Sequence, residues 1–304
     1  MRFLASAVMQ GRSQAVMVIT VLAMLSFLFP PASILSSGAV ALVTLRNGLK
    51  DGLLVLVFAG IACGVLAQLT LGVLLPAVGF VLLLWLPMVL LAVLLRSSRS
   101  LALALQGGVG LGLLFILVQF LQVQDPVSEW QTLLEPFSQS LVDAELIDPS
   151  QQKTLVEIMA KWMPGLIAAG FLLQSIAGLI LARWWQSMLY NPGGFRQEFH
   201  QLRLSKILAL ATLVVVVSRL LLSDEASTFV DALMMVFIAA WFIQGLALAH
   251  GALGTLGVNS GWLIGIYLLL IFAMPHAVMV LASAGFADAW FDFRARLAEN
   301  KGSE

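Results

Sequence analysis

The residues best suited to chemistry in this chain are few and widely scattered. His200, His250 and His276 have no carboxylate or cysteine neighbours at ligand spacing, so they predict no metal centre. Cys63 is the only cysteine, which rules out an intramolecular disulfide. Neither a nucleophile elbow nor a Walker loop is present. The run Gly107-Gly108-Val109-Gly110-Leu111-Gly112 imitates a phosphate loop. It lies inside an apolar segment, with no Lys or Ser/Thr where a phosphate would need one. Gly108 and Gly112 have the four-residue spacing of closely packed helices, repeated at Gly60/Gly64 and Gly257/Gly261. Catalytic residues, a metal and a cofactor are all absent from this reading, and no enzyme is expected.

What remains is polarity inside apolar runs. Gln68, Gln119, Gln122, Gln174, Arg219, Gln244 and His250 all lie in such runs. A polar group in hydrocarbon is costly, so each is a candidate substrate-binding residue. Gln119 and Gln122 share a helix face and could bind a polar solute or a neighbouring helix. Arg219 stays charged, so it must snorkel, anchor an anionic group or pair, with Asp231 as the plausible partner. The polar loop Ala182–Lys206 is a second concentration. Trp184 and Trp185 belong at a membrane interface. Asn191-Pro192-Gly193-Gly194 is a tight turn. Phe195 and Phe199, four apart, predict an amphipathic helix against the membrane, and Arg196, Glu198 and Phe199 are candidates for contact with a partner protein.

The elements that must position these residues follow from composition. Hydrophobic residues make up 61% of the 304 and charged residues 11%; the mean hydropathy is +1.00. Apolar blocks this long must satisfy their backbone hydrogen bonds internally. The expected fold is all-α: one polytopic transmembrane helical bundle over 1–304, of about eight to ten spans. The blocks run Ala15–Phe29, Ala32–Leu45, Leu53–Leu75, Ala77–Leu95, Leu101–Leu121, Pro164–Ala182, Ile207–Leu222, Phe229–Ala249 and Trp262–Phe286. The first two are short and meet at Pro30-Pro31, which predicts a broken helix pair. Residues 122–161 form an extracytoplasmic insert of two amphipathic helices, one starting near Pro126 and one at Asp148-Pro149-Ser150. Residues 287–304 form a polar C-terminal tail.

Charge sets the expected orientation. Arg2, Arg12, Arg46, Lys50, Arg96, Arg99, Arg183, Arg196, Arg203 and Lys206 fall in loops that the alternating spans bring to one side, so they and the N-terminus should be cytoplasmic. The insert holds seven acids and two lysines, and Asp224-Glu225 marks another acidic loop; both suit the outer side. Counted as one span, Trp262–Phe286 would put Arg294, Arg296 and Lys301 outside. Pro275 offers a split that returns the tail inside. Net charge is zero and no basic run suggests nucleic acid. The expected partners are membrane lipids and a membrane protein.

Several motifs together resemble the YybS-like family of bacterial membrane proteins. They are Pro30-Pro31, the stretch Leu45-Arg46-Asn47-Gly48-Leu49-Lys50-Asp51-Gly52, Asn191-Pro192-Gly193-Gly194-Phe195, the run from Gln244 to His250, and the ending from Asp288 through Trp290, Asp292 and Phe293 to Arg294. That family is distantly similar to the S components of energy-coupling-factor transporters, which are compact helical bundles that bind a small molecule. The resemblance implies a bacterial inner-membrane protein with an S-component-like core that binds or transports a small solute or lipid-derived molecule. The partner would then be a transporter coupling subunit. The alternative is a non-transporting scaffold of a cell-envelope assembly complex, partnered by an envelope assembly protein.

Overall fold

The structure is a computed structural model, and it describes residues 1–123, 125–223, 227–259 and 261–302. Among these residues every regular element is helical. Five helices are long and apolar enough to cross a membrane: Leu49–Leu71, Leu75–Ser98, Leu101–Gln122, Pro149–Tyr190 and Thr228–Leu256. The larger number of spans expected from the apolar blocks is reached only by counting shorter helices. Asp224 and Glu225 lie outside the described residues.

The centre of the bundle is built around α3 (Ala32–Asn47), in which every residue from Ser36 to Leu45 is buried. Small side chains make this possible. A Cβ on Gly38 would lie 3.3 Å from the Gly178 carbonyl, so α3 and α9 (Pro149–Tyr190) touch almost backbone to backbone. Ser36 donates to the Ile19 carbonyl at 2.9 Å and accepts from Trp85 Nε1 at 3.1 Å. Ile19 belongs to α2 (Arg12–Leu25). With 14 and 16 residues, α2 and α3 measure about 21 and 24 Å, less than the roughly 30 Å hydrocarbon core. The chain breaks between them at Pro30-Pro31, with Pro31 preceding the first turn of α3.

The insert differs from the two separate amphipathic helices expected, because the second is continuous with the span that follows. Its first helix, α8 (Pro126–Asp143), is capped by the Asp125 carboxylate, which accepts from the Val127 and Ser128 N–H groups. The second does not end at the membrane. It runs through Pro164 into the following span as the single 42-residue helix α9. At about 1.5 Å per residue α9 is roughly 63 Å long, twice the hydrocarbon thickness. Its polar N-terminal part therefore stands clear of the apolar layer. There it pairs with α8, and Gln152 Nε2 donates to Ser138 Oγ at 3.1 Å and Gln139 Oε1 at 3.2 Å.

The other tight contact joins α12 (Thr228–Leu256) to α14 (Met274–Phe291). A Cβ on Gly245 would fall 1.9 Å from the Leu281 carbonyl oxygen, and one on Gly285 would fall 2.2 Å from that of Trp241. Of the glycine pairs read from spacing, Gly108 and Gly112 do face neighbouring helices, meeting Leu172 and Val236. Gly257/Gly261 needs correction. Gly257 ends α12 with φ +68, a left-handed cap, and Gly261 opens α13 (Gly261–Phe272), so the pair brackets a turn. The break that splits Trp262–Phe286 comes at Ala273, just ahead of Pro275. Trp184 is partly exposed, but Trp185 is fully buried, a correction to its interfacial assignment. Trp185 packs with the central hydrophobic cluster.

Candidate functional site

Three polar segments far apart in sequence meet at one end of the bundle: α10 (Gly194–His200) with the loop after it, the C-terminal part of α12, and the start of the tail. A buried network joins them. Gln244 is fully buried. Its Oε1 accepts from the Leu204 N–H at 2.7 Å, and its Nε2 donates to the Gly285 carbonyl at 2.8 Å and to Asp288 Oδ2 at 3.3 Å. Asp288 is 0% exposed and pairs with Arg294, 13% exposed, at 2.6 Å. Asp288 also accepts from the Phe293 N–H at 3.1 Å. Arg294 directs its remaining N–H groups to the carbonyls of His200 at 2.6 Å and Leu202 at 2.8 Å. Arg203 pairs with Asp292 and donates to the Asp288 carbonyl at 3.2 Å. The tail therefore lies beside the Ala182–Lys206 loop, as the split at Pro275 anticipates.

Above this network lies a polar cavity of about 560 Å³, lined by Arg196, Gln197, His200, Arg203, Thr255 and Asp292 among others. A second cavity of about 600 Å³ adjoins it and shares Arg196, His200 and Gly254. The second is largely apolar, with Phe195, Phe199, Leu253, Val258 and Tyr267 in its walls. Phe195 and Phe199 stack at 5.7 Å between centroids, and Phe199 meets His250 edge-on at 5.6 Å. Phe199 of α10 thus meets α12, and both aromatics border the second cavity. His250 Nε2 and the Tyr267 hydroxyl are 2.9 Å apart, joining α12 to α13. The two histidine rings stand 6.3 Å apart.

The charges around the polar cavity are mostly paired, and one of its three arginines is left over. Arg183 holds Glu198 in a two-point pair, at 2.7 and 2.5 Å. Arg203 and Arg294 are matched by Asp292 and Asp288. Among the described residues Arg196, exposed at the junction of the cavities, makes no ion pair. Burial, and then the charges of Arg196, His250 and Arg294, hold the His200 imidazole below its ordinary pKa. Burial pushes the Asp292 carboxyl up, but the Arg203 hydrogen bond, the Ala295 N–H and the charges of Arg203 and Arg294 outweigh it and keep that carboxyl below its ordinary pKa.

Of the substrate-binding candidates read from sequence, only His250 lines this site, while Gln244 lies in the network supporting it. The others are elsewhere. Gln68 donates to the Gly72 carbonyl at its own helix end, at 3.4 Å. Gln119 donates to the Pro164 carbonyl of α9 at 3.4 Å, the neighbouring-helix outcome, and Gln122 is exposed. Gln174 Nε2 is buried with no partner among the described residues. Arg219 Nε donates to Asp231 Oδ1 at 2.7 Å, the pairing anticipated from sequence. Of the partner-contact candidates, Arg196 and Phe199 line the cavities, and Glu198 is held by Arg183. The residues missed were His200, Arg203, Tyr267, Asp292 and Arg294. The concentration of polar residues in the loop and tail was the only available signal, since nothing local pairs residues about ninety positions apart.

Fold and site define an all-helical integral membrane protein with a polar pocket at one end of the bundle. The chain belongs to the family described as "Predicted membrane protein (DUF2232)", which matches residues 119–289, more than half of its length. No curated protein and no solved structure matches it, so the YybS-like and S-component resemblance stands only on the motifs quoted above.

Proposed function

We propose that this protein binds a small lipid-derived molecule in the cleft between α10, α12 and α13. The supporting observation is the adjoining pair of cavities, one polar and one aromatic, that share Arg196 and His200. Ligand sites of this kind combine an apolar lining with a few placed polar groups. Access from the membrane is supported by α13, which buries none of its residues and exposes Ile264, Ile271 and Phe272. The bacterial inner membrane is the proposed location. Basic residues cluster at the site end and acids in 122–161, which favours a cytoplasmic site and N-terminus. A cysteine placed at Arg196 in a Cys63→Ala background should resist impermeant thiol reagents in intact cells, and one at Glu135 should react.

Native mass spectrometry of the purified protein tests binding. A retained lipid-sized adduct is expected, and Gly254→Trp, which fills the shared wall, should abolish it. Retention unaffected by that change would refute this site. The alternative scaffold role is favoured by the α8/α9 hairpin, which exposes Leu133 and Phe137 on a helix beyond the apolar layer. Capture of a stoichiometric envelope protein, lost on Phe137→Asp, would support it.

A further inference from the structure

The chemistry of the two cavities narrows the ligand further, and this step rests on the cleft reading above. Among the described residues the polar cavity has three arginines in its wall and one carboxylate, Asp292, which is already held by Arg203. Arg294 is matched from beneath by the buried Asp288. Of the three arginines, Arg196 is the one with no ion pair among the described residues, and it stands where the polar cavity opens into the apolar one. A neutral ligand would leave that charge unused, and a cationic one would be repelled by it. A small hydrophilic anion would leave the aromatic walls of Phe195, Phe199 and Tyr267 facing water. An anion joined to an apolar chain satisfies both cavities at once.

We infer that the site binds an anionic amphiphile, a membrane lipid with a phosphate-bearing headgroup. The phosphate lies between Arg196 and Arg203, within reach of His200, and the chain lies along the cleft under α13. Arginine suits this role because its planar fork presents paired N–H donors to phosphate oxygens. The Arg203–Asp292 pair is part of the design. Asp292 holds the guanidinium in place while a third of its side chain stays open to the cavity. The His250–Tyr267 hydrogen bond crosses the cleft from α12 to α13 and sets how far the two helices part.

The test uses the full chain in a neutral detergent, with thermal unfolding read against four probes: dioctanoyl phosphatidic acid, dioctanoylglycerol, dioctanoyl phosphatidylcholine and inorganic phosphate. Phosphatidic acid should stabilise the protein in a saturable way, and the other three should do so far less. Arg196→Gln should keep the melting temperature of the free protein, because its side chain is exposed and unpaired. The same change should weaken phosphatidic acid binding by roughly 10–100-fold, the loss of one or two charge-assisted hydrogen bonds. Lys50→Gln, a basic change outside both cavities, should leave binding intact. Equal binding of dioctanoylglycerol, unaffected by Arg196→Gln, would overturn the anionic assignment and leave the cleft reading standing. A shift by inorganic phosphate equal to that of phosphatidic acid would overturn the lipid assignment in favour of a free phosphate-bearing solute. No response to any amphiphile would overturn both readings.

Discussion

Removing one member of the buried Asp288–Arg294 pair should cost far more than removing both. Asp288 is fully buried and Arg294 nearly so, and each uses its charge on the other at 2.6 Å. In Arg294→Met the Asp288 carboxylate keeps only the Phe293 N–H and the longer bond from Gln244. In Asp288→Asn the guanidinium keeps two backbone carbonyls but loses its directly bonded counter-charge. Stranding one buried charge costs about 3–5 kcal/mol, whereas a charge-free pair of similar volume is often near neutral. Each single variant should therefore lose about 3–5 kcal/mol. At about 2 °C or more per kcal/mol, that is a fall of at least roughly 6 °C in melting temperature. The double variant should lose no more than about 2 kcal/mol, less than either single, because neither charge is left stranded. Thermal unfolding in detergent of the four proteins makes the cycle. Protease sensitivity of the 200–205 loop should rise in step with the singles, because Arg294 holds the carbonyls of His200 and Leu202. Additive effects, or singles that cost less than about 1 kcal/mol, would refute the reasoning that a buried ion pair fastens the tail to the loop.

Three further outcomes follow from the same geometry. Gly245→Ala places a Cβ 1.9 Å from the Leu281 carbonyl oxygen, so it should cost about 3 kcal/mol or more; Gly110→Ala, with nothing within 4 Å, should gain about 0.5–1 kcal/mol, both read by melting temperature. The Arg219–Asp231 pair is 33% and 38% exposed, so Arg219→Leu should cost no more than about 1 kcal/mol, and Arg219→Leu with Asp231→Leu should be at least as stable as either single. His200 titrates below its ordinary value in the folded chain, so below about pH 6.5 the unfolded chain binds more protons and stability falls as pH drops. In His200→Gln the drop in melting temperature between pH 7.5 and 5.5 should be smaller; an unchanged drop would remove His200 as its source.

Local features were the legible ones. Apolar runs, the Pro30-Pro31 break and the Asn191–Gly194 turn depend on neighbours in sequence, and their elements are where the pattern puts them. Arg219 found Asp231 only twelve positions away, at helical ends that a short loop must bring together. The change from polar to apolar composition at Pro164 separated the insert from the following block, although one helix carries both. The helix continues through that proline, with Gln119 donating to the Pro164 carbonyl from the side. The closest helix contacts escaped for another reason. Gly245 and Gly285 match each other across 40 residues, and no spacing within one helix reveals that. Trp185 was read by its residue type, which prefers interfaces; its place on the inner face of α9 decided otherwise.

The polar residues within apolar helices sort by whether their partners are fixed. Gln244 has backbone and carboxylate partners on the loop and α14, all buried. Gln119 and Arg219 are likewise bonded to their own chain. Such groups offset their cost by holding helices together. His250 differs, because its partner Tyr267 lies on α13, a helix that buries no residue and borders a cavity. A hydrogen bond across an open cleft can be exchanged without leaving a buried group unsatisfied, since a ligand or water can take either side. The buried network of Gln244, Asp288 and Arg294 then serves as the rigid floor, and the exchangeable groups His250, Tyr267, His200 and Arg196 stand above it. Placement of this kind, with fixed charges below and the unpaired Arg196 above, suits the proposed anionic headgroup, because a preorganised floor holds the groups that would contact it.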